Sequence, residues 1–268
     1  MKILIIGCGA IGITTAREIA KWRNTETIYM YDKDPSCSAK LSSKEPKVQG
    51  CQDIISILPE ISLVIEAASQ NAVSMYAPTV LSHGKSILIM SIGALADDNL
   101  RISLEKIARD NKCSIYLPSG AVAGIDALSA ASNTGVEEVI LITYKPTAAF
   151  RGNEYLNSCG IDITKINQPT VLFNGSAREA IKYFPQNINV AATVSLNGIG
   201  FDRTKVKIIA DPKATMNTHR LIVKGEFGEF ETETRNLPSP RNPKTSYMAA
   251  LSAISAVKKI VATVWVPV

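Results

Sequence analysis

Residues 7–12 read Gly-Cys-Gly-Ala-Ile-Gly and lie between the apolar run Lys2–Ile6 and an amphipathic stretch from about Gly12 to Trp22. A Gly-x-Gly-x-x-Gly string is weak by itself. Placed between a strand and a helix, it restricts the opening of the chain to the first unit of a doubly wound parallel sheet. Each glycine has a separate task. Gly7 permits a tight turn, Gly9 leaves bare backbone where a diphosphate would approach, and Gly12 lets the helix lie close on the strand. Free N–H groups at the helix start, with the positive end of its dipole, then favour an anion. Gly7, Gly9, Ala10, Ile11 and Gly12 are therefore the candidate dinucleotide-binding turn. Asp32 closes the second apolar run, Thr27–Tyr31, twenty residues after Gly12. There a carboxylate accepts hydrogen bonds from the adenosine ribose hydroxyls, so the expected cofactor is NAD. The neighbouring Lys33 cation leaves NADP as an alternative.

The same rhythm continues through the first half. Leu63–Ala68 and Ser86–Ser91 read as buried strands separated by a helix over Ala72–Leu81, and Asp97-Asp98-Asn99 supplies a cap and first-turn acids for a helix over Leu100–Asp110. Lys33–Gly50, rich in Ser, Lys and Pro, reads as a surface connection with at most one short helix. After Pro118-Ser-Gly the pattern changes to longer alternating strands, among them Glu138–Lys145, Lys205–Ala210, His219–Glu226 and Glu229–Thr234, the last two forming a hairpin. Helical patterns at Ala123–Ala131, Ser176–Tyr183 and Ile188–Leu196 sit among them. The expected fold is α/β: a Rossmann-type doubly wound parallel sheet over residues 1–120, plus an α+β domain, a sheet with helices on one face, over residues 121–241. Leu237-Pro-Ser-Pro-Arg-Asn-Pro reads as a stiff linker, and the helix within 242–268 is expected to pack back on the first domain.

With 268 residues, two domains and a cleft between them are expected. A formal charge of +5 spread along the chain is a mild bias toward anionic ligands, and the absence of a basic stripe interleaved with aromatics argues against nucleic acid. Five cysteines, none in a Cys-x-x-Cys pair, signal neither a disulfide framework nor a zinc site, so no metal is expected and a reducing cytoplasm fits. No apolar run reaches the ~18 residues of a membrane span.

Two histidines are present. His83 precedes Gly84 at a helix end and reads as a cap. His219 opens a strand of the second half after the Asp211–Thr218 stretch, and its alternation with Leu221 and Val223 is equally that of a core histidine. No nucleophile elbow, His-Glu-x-x-His helix or phosphate-binding Lys-Ser/Thr loop occurs. Redox chemistry remains, in which a nicotinamide does the electron transfer and one imidazole of near-neutral pKa manages protons.

The segments Gly7–Gly12, Glu66-Ala-Ala-Ser-Gln, Ser91-Ile-Gly-Ala-Leu, Pro118 to Leu128, Phe184 to Thr193 and Asp211 to Arg220 together resemble the L-aspartate dehydrogenase family. The resemblance implies oxidation of L-aspartate by NAD or NADP to iminosuccinate, which water converts to oxaloacetate and ammonia, with the imino acid also a feed for NAD synthesis. It places the active-site histidine on His219 and further cofactor contacts on Ala123 and Asn189. A dicarboxylate needs cations, for which Arg151, Arg203, Lys205, Lys207 and Arg220 are candidates. A homodimer through the second sheet is expected. Two other readings stand beside this one: a reductase of the dihydrodipicolinate reductase or homoserine dehydrogenase type, and a non-catalytic NAD(H)-sensing module.

Overall fold

The run Lys-Ile-Leu-Ile-Ile at Lys2–Ile6 (β1) is buried on both faces, as the central strand of a covered parallel sheet must be. The computed structural model describes residues 1–185 and 189–262, without the side chains of Pro243 and Lys244. Beside β1 lie Thr27–Tyr31 (β2) and Val48–Gly50 (β3) on one flank, and Leu63–Glu66 (β4), Ile87–Ile89 (β5) and Ile115–Tyr116 (β6) on the other. The order β3-β2-β1-β4-β5-β6, parallel throughout, reverses direction of travel between β1 and β4. In such sheets ligands bind at the carboxyl ends of the strands flanking that reversal. The helices are Ala10–Ala20 (α1), Pro35–Ser42 (α2), Ile54–Ile57 (α3), Gln70–Ser82 (α4) and Asp98–Asp110 (α5).

The connection over Lys33–Gly50 is more ordered than its composition suggests. Asp34 caps α2 by accepting the Ser36 N–H at 3.0 Å, Pro35 occupies the first helical turn, and Val48–Gly50 adds the edge strand of the sheet.

The second sheet is mixed, in the order β11-β10-β7-β9-β8, from Val136–Lys145 (β7), Thr170–Ser176 (β8), Lys205–Ala210 (β9), Asn217–Gly225 (β10) and Gly228–Asn236 (β11). Its helices are Ile125–Ala131 (α6), Glu154–Ser158 (α7), Ala177–Tyr183 (α8) and Asn189–Asn197 (α9). The expected helix start at Ile188 lies outside the described residues. Alternation decides the faces. Val139, Leu141, Leu221 and Val223 are fully buried, and Val139, Leu221 and Val223 pack with Leu128 of α6 and Val194 of α9. The stretch read as a linker is instead a small antiparallel pair, Pro238–Ser239 (β12) with Asn242–Ser246 (β13). A turn at Pro240-Arg241 brings the two segments together, with the Arg241 N–H donating to the Ser239 hydroxyl at 3.4 Å.

Contacts divide the described residues into two units, residues 1–118 with 250–262 and residues 119–249. The final helix, Tyr247–Val261 (α10), contributes Ala253 and Val257 to the core of the first unit. Residues 263–268 of the expected C-terminal segment are outside the described residues. Among the described residues no helix is long and apolar enough to cross a membrane.

Leu221→Ala should destabilise the protein by ~2–5 kcal/mol, since it opens a cavity under α6 and α9. Urea unfolding measures this; a loss below ~1 kcal/mol would show that the two helices do not form the core on that face.

Candidate active site

Gly7 adopts φ 110°, and a Cβ there would stand 2.6 Å from the Ala67 carbonyl oxygen. At Gly12 a Cβ would lie 2.0 Å from the Gly7 oxygen, so both positions admit glycine alone. Gly9 differs, because it has an ordinary φ of −73° and a Cβ would meet only the Ala67 oxygen, at 4.0 Å. It caps α1 with no side chain, and no acid occupies the first helical turn. The first N–H groups of such a helix have no intrahelical acceptor, so this open, uncharged end fits a diphosphate.

Asp32 sits where β2 ends, and its carboxylate accepts the Cys8 N–H at 2.7 Å and the Asp34 N–H at 3.0 Å. It therefore fixes the glycine turn as well as offering its remaining lone pairs to a ribose. Burial pushes the Cys8 thiol up to about 12, with neighbouring Cys37 adding to the effect, and the Cys37 thiol donates to the Cys8 carbonyl at 3.3 Å.

Glu66, at the end of β4, is fully buried. Its carboxylate accepts from the N–H groups of Ala68 (2.8 Å), Ser69 (2.9 Å) and Ser91 (3.0 Å) and from the Ser91 hydroxyl (2.9 Å). Burial raises its pKa against the lowering effect of these donors. The result ties the loops after β4 and β5 together, next to the Ala67 carbonyl against which Gly7 turns. An acid ending an apolar strand is the sequence signal for this role.

In the second unit His219 is 2% exposed and lies in register with Thr143 of β7 and Thr234 of β11. Its Nδ1 is 3.0 Å from the Thr143 hydroxyl. The near-neutral imidazole expected from sequence is not what the fold supplies: burial first, and then the Lys145 ammonium, push its pKa down to about 3. Lys145, two residues beyond Thr143 on the same face, is 5% exposed and is pushed down to about 8 by burial. Asn217, buried on the same face of β10, donates to the Ser246 hydroxyl at 3.1 Å. From β11, Thr234 and Asn236 donate to the Ala121 carbonyl at 2.9 and 2.8 Å, and Thr232 donates to the Ala123 carbonyl at 2.9 Å. The loop 119–124 is thereby laced along the sheet edge, and the same strands that are apolar under α6 and α9 become polar toward Lys145.

The other expected positions scatter. Ala123 has an exposed side chain and belongs to that laced loop. Asn189 is the first described residue of α9 and accepts the Thr193 hydroxyl on its carbonyl at 3.1 Å. Gln186, Asn187 and Ile188 of the Phe184–Thr193 segment lie outside the described residues. Arg220 and Lys207 alternate onto the face opposite His219, and Arg220 is held by Glu231 at 2.6 Å. Lys205 pairs with Glu138 at 2.7 Å, and Arg203 donates to the Val136 carbonyl at 3.2 Å. Arg151 lines an open cavity of about 650 Å³ with Tyr155 and Lys182. Lys145, absent from that set, is a cation on the face of His219; its alternation with Thr143 was the available signal. His83 caps α4, with Nδ1 2.8 Å from the Thr79 carbonyl. Among the described residues no group of acids, histidines and cysteines is placed to hold a metal.

Residues 126–260 match the family described as aspartate dehydrogenase, C-terminal, and residues 7–118 match the homoserine dehydrogenase NAD binding domain. L-aspartate dehydrogenases of Methanosarcina acetivorans and Methanosarcina barkeri are 48% and 46% identical to the chain, over 97% and 98% of both sequences. The crystal structure of aspartate dehydrogenase from Thermotoga maritima superposes with a TM-score of 0.74 at 30% identity, covering 99% of this chain and 98% of that one. A homoserine dehydrogenase from a hyperthermophilic archaeon in complex with NADPH is similar in fold only, with a TM-score of 0.56 at 12% identity.

Gly9→Ala should leave the melting temperature within ~2 °C of wild type, because its backbone and surroundings accept a Cβ. NADH affinity, read by fluorescence titration, should nonetheless fall at least ~10-fold, about 1.4 kcal/mol. Unchanged affinity would mean that the diphosphate does not run over Gly9.

Proposed function

The chain belongs to the L-aspartate dehydrogenase family, and on that premise we propose that it oxidises L-aspartate with NAD, NADP being the alternative, to iminosuccinate, which is hydrolysed to oxaloacetate and ammonia. The observation that carries the reading is the buried imidazole of His219, 3.0 Å from the Thr143 hydroxyl, on a sheet face that also bears a lysine and hydroxyl and amide groups. Gly7, Gly9, Ala10, Ile11, Gly12 and Asp32 would hold the diphosphate and adenosine ribose, with Ala123 and Asn189 as further contacts. When bound, the nicotinamide supplies the two-electron oxidant for the substrate carbon–nitrogen bond.

The protein's part is proton management and orientation. With the Nδ1 proton donated to the Thr143 hydroxyl, Nε2 of His219 keeps its lone pair and accepts a proton from the water that adds to the imino carbon. Thr143 holds the ring in orientation through this 3.0 Å contact at Nδ1. A dry site strengthens each such hydrogen bond relative to water.

The match of residues 126–260 to the aspartate dehydrogenase C-terminal family favours this reading over a homoserine dehydrogenase, whose NAD binding domain family matches residues 7–118. The further parts of the reading are a homodimer, a cytoplasmic setting and supply of the imino acid to pyridine nucleotide synthesis. Ile140, Ile142 and Ile222 alternate away from α6 and α9 and stay half-buried in the single chain, a surface suited to a second copy.

His219→Ala should lower kcat on the order of 10²–10⁴-fold with L-aspartate. NADH affinity should stay within about threefold, a change of under 1 kcal/mol. The assay is cofactor reduction with L-aspartate set against glutamate, alanine and homoserine. Wild-type turnover by the variant would remove His219 from the chemistry, and preference for homoserine would replace the substrate.

A further inference from the structure

Two cysteines meet at the glycine turn. Cys8 stands between Gly7 and Gly9 and is buried, and Cys37, half-buried in the first turn of α2, packs against it. The Cys37 thiol donates to the Cys8 carbonyl at 3.3 Å, and the two thiols are within hydrogen-bonding reach of each other. Of the other three cysteines, Cys51 donates to the Asp53 carbonyl at 3.1 Å, Cys113 donates to the Leu81 carbonyl at 3.6 Å, and Cys159 lies in the second unit. The sheet brings the pair together. β1 and β2 run parallel in register from Lys2 with Thr27 to Ile6 with Tyr31, so the turns leaving their carboxyl ends emerge side by side. Asp32 fastens them, accepting the Cys8 N–H at 2.7 Å from one and the Asp34 N–H at 3.0 Å from the other.

We infer that Cys8 and Cys37 close to a reversible disulfide under peroxide, and that the bridge weakens dinucleotide binding at the turn it spans. The second half rests on the reading of Gly7–Gly12 and Asp32 as the seat of the cofactor. The chemistry takes two steps. Cys37, the more exposed sulfur, attacks the peroxide: the O–O bond breaks, an S–O bond forms, and water leaves a sulfenic acid in place of the thiol. The Cys8 sulfur then attacks that of Cys37, an S–S bond replaces the S–O bond, and the Cys8 proton departs with the hydroxyl as a second water. Each sulfur gives up one electron and the peroxide takes both. Burial first, and the Cys37 sulfur second, keep the proton on Cys8; the second cause ends once Cys37 is a neutral sulfenic acid.

A disulfide is about 2 Å long, so the two segments must draw together. The glycine turn cannot yield, because carbonyl oxygens crowd both Gly7 and Gly12. α2 moves instead, since of its eight residues Ser38 and Leu41 alone are buried. Its cap Asp34 travels with it and pulls on Asp32, and the proton that the Cys8 carbonyl received from Cys37 is gone. The carboxylate that would hold the ribose and the backbone that would hold the diphosphate are disturbed by one bond.

The test treats wild type and Cys37→Ser with hydrogen peroxide, alkylates the remaining thiols and maps peptides by mass spectrometry, with NADH affinity read by fluorescence before and after. Wild type should commit two of its five thiols to an intramolecular link between Cys8 and Cys37, bind NADH at least ~10-fold more weakly, and recover with dithiothreitol. Cys37→Ser, whose hydroxyl can still donate to the Cys8 carbonyl, should keep its affinity through the same treatment. Saturating NADH should slow closure in wild type, because bound cofactor favours the open turn. Absence of the link, or the link with unchanged NADH affinity, overturns the proposal, and so does an equal loss of affinity in Cys37→Ser. Should the serine variant not fold, protection by NADH decides: closure at one rate with and without NADH overturns it. Failure of the underlying reading looks different, since reduced wild type would then not bind NADH at all while the peptide map still reports the link.

Discussion

One hydrogen bond, between the Thr143 hydroxyl and Nδ1 of His219, joins the two central antiparallel strands of the second sheet on their covered face. The rest of the site follows from it. Along β7 and β10 the buried positions run from Val139 and Val223, through Leu141 and Leu221, to Thr143 and His219 and then Lys145 and Asn217. Period-two geometry keeps all of them on one face. The helix-covered end makes a core, and the far end carries polar groups that a core would not accept unpartnered. The same burial that stabilises the sheet deprives the imidazole of its charge, so core and chemistry are two ends of one surface.

The nucleotide unit depends on a comparable economy. Gly7 and Gly12 are excluded from carrying side chains by two carbonyl oxygens, one of them that of Ala67, whose N–H donates to the Ile6 carbonyl at 2.8 Å while the Glu66 carboxylate holds the next two N–H groups, of Ala68 and Ser69. Asp32 receives the Cys8 N–H from the same turn. The open helix end is therefore defined from the neighbouring strands as much as by its own glycines, which explains why a fingerprint of three glycines needs its surrounding strand ends to work.

Much of this was legible because short-range rules sufficed. The glycine turn, the β10–β11 hairpin and the alternation of His219 with Leu221 and Val223 each depend on residues close in sequence. What was missed depends on partners far away. Val48–Gly50 reads as loop until β2 is beside it, and the Pro-rich stretch after Asn236 reads as linker until Pro238 meets Ser246. Lys145 ends the strand Glu138–Lys145 read from the sequence, and its burial shows only once that strand is set in the sheet. The expectation of a near-neutral His219 failed for the same reason, because desolvation is a property of the assembled face.

The most direct test of a neutral, buried imidazole held by Thr143 is a pH titration of ¹⁵N-histidine-labelled protein by NMR, with His83→Asn assigning the two rings. The ring nitrogens of His219 should keep the pattern of the neutral tautomer from pH 8 down to about pH 5, as a pKa pushed down to about 3 requires. A titration midpoint near the ordinary histidine value of ~6.5 would contradict the account.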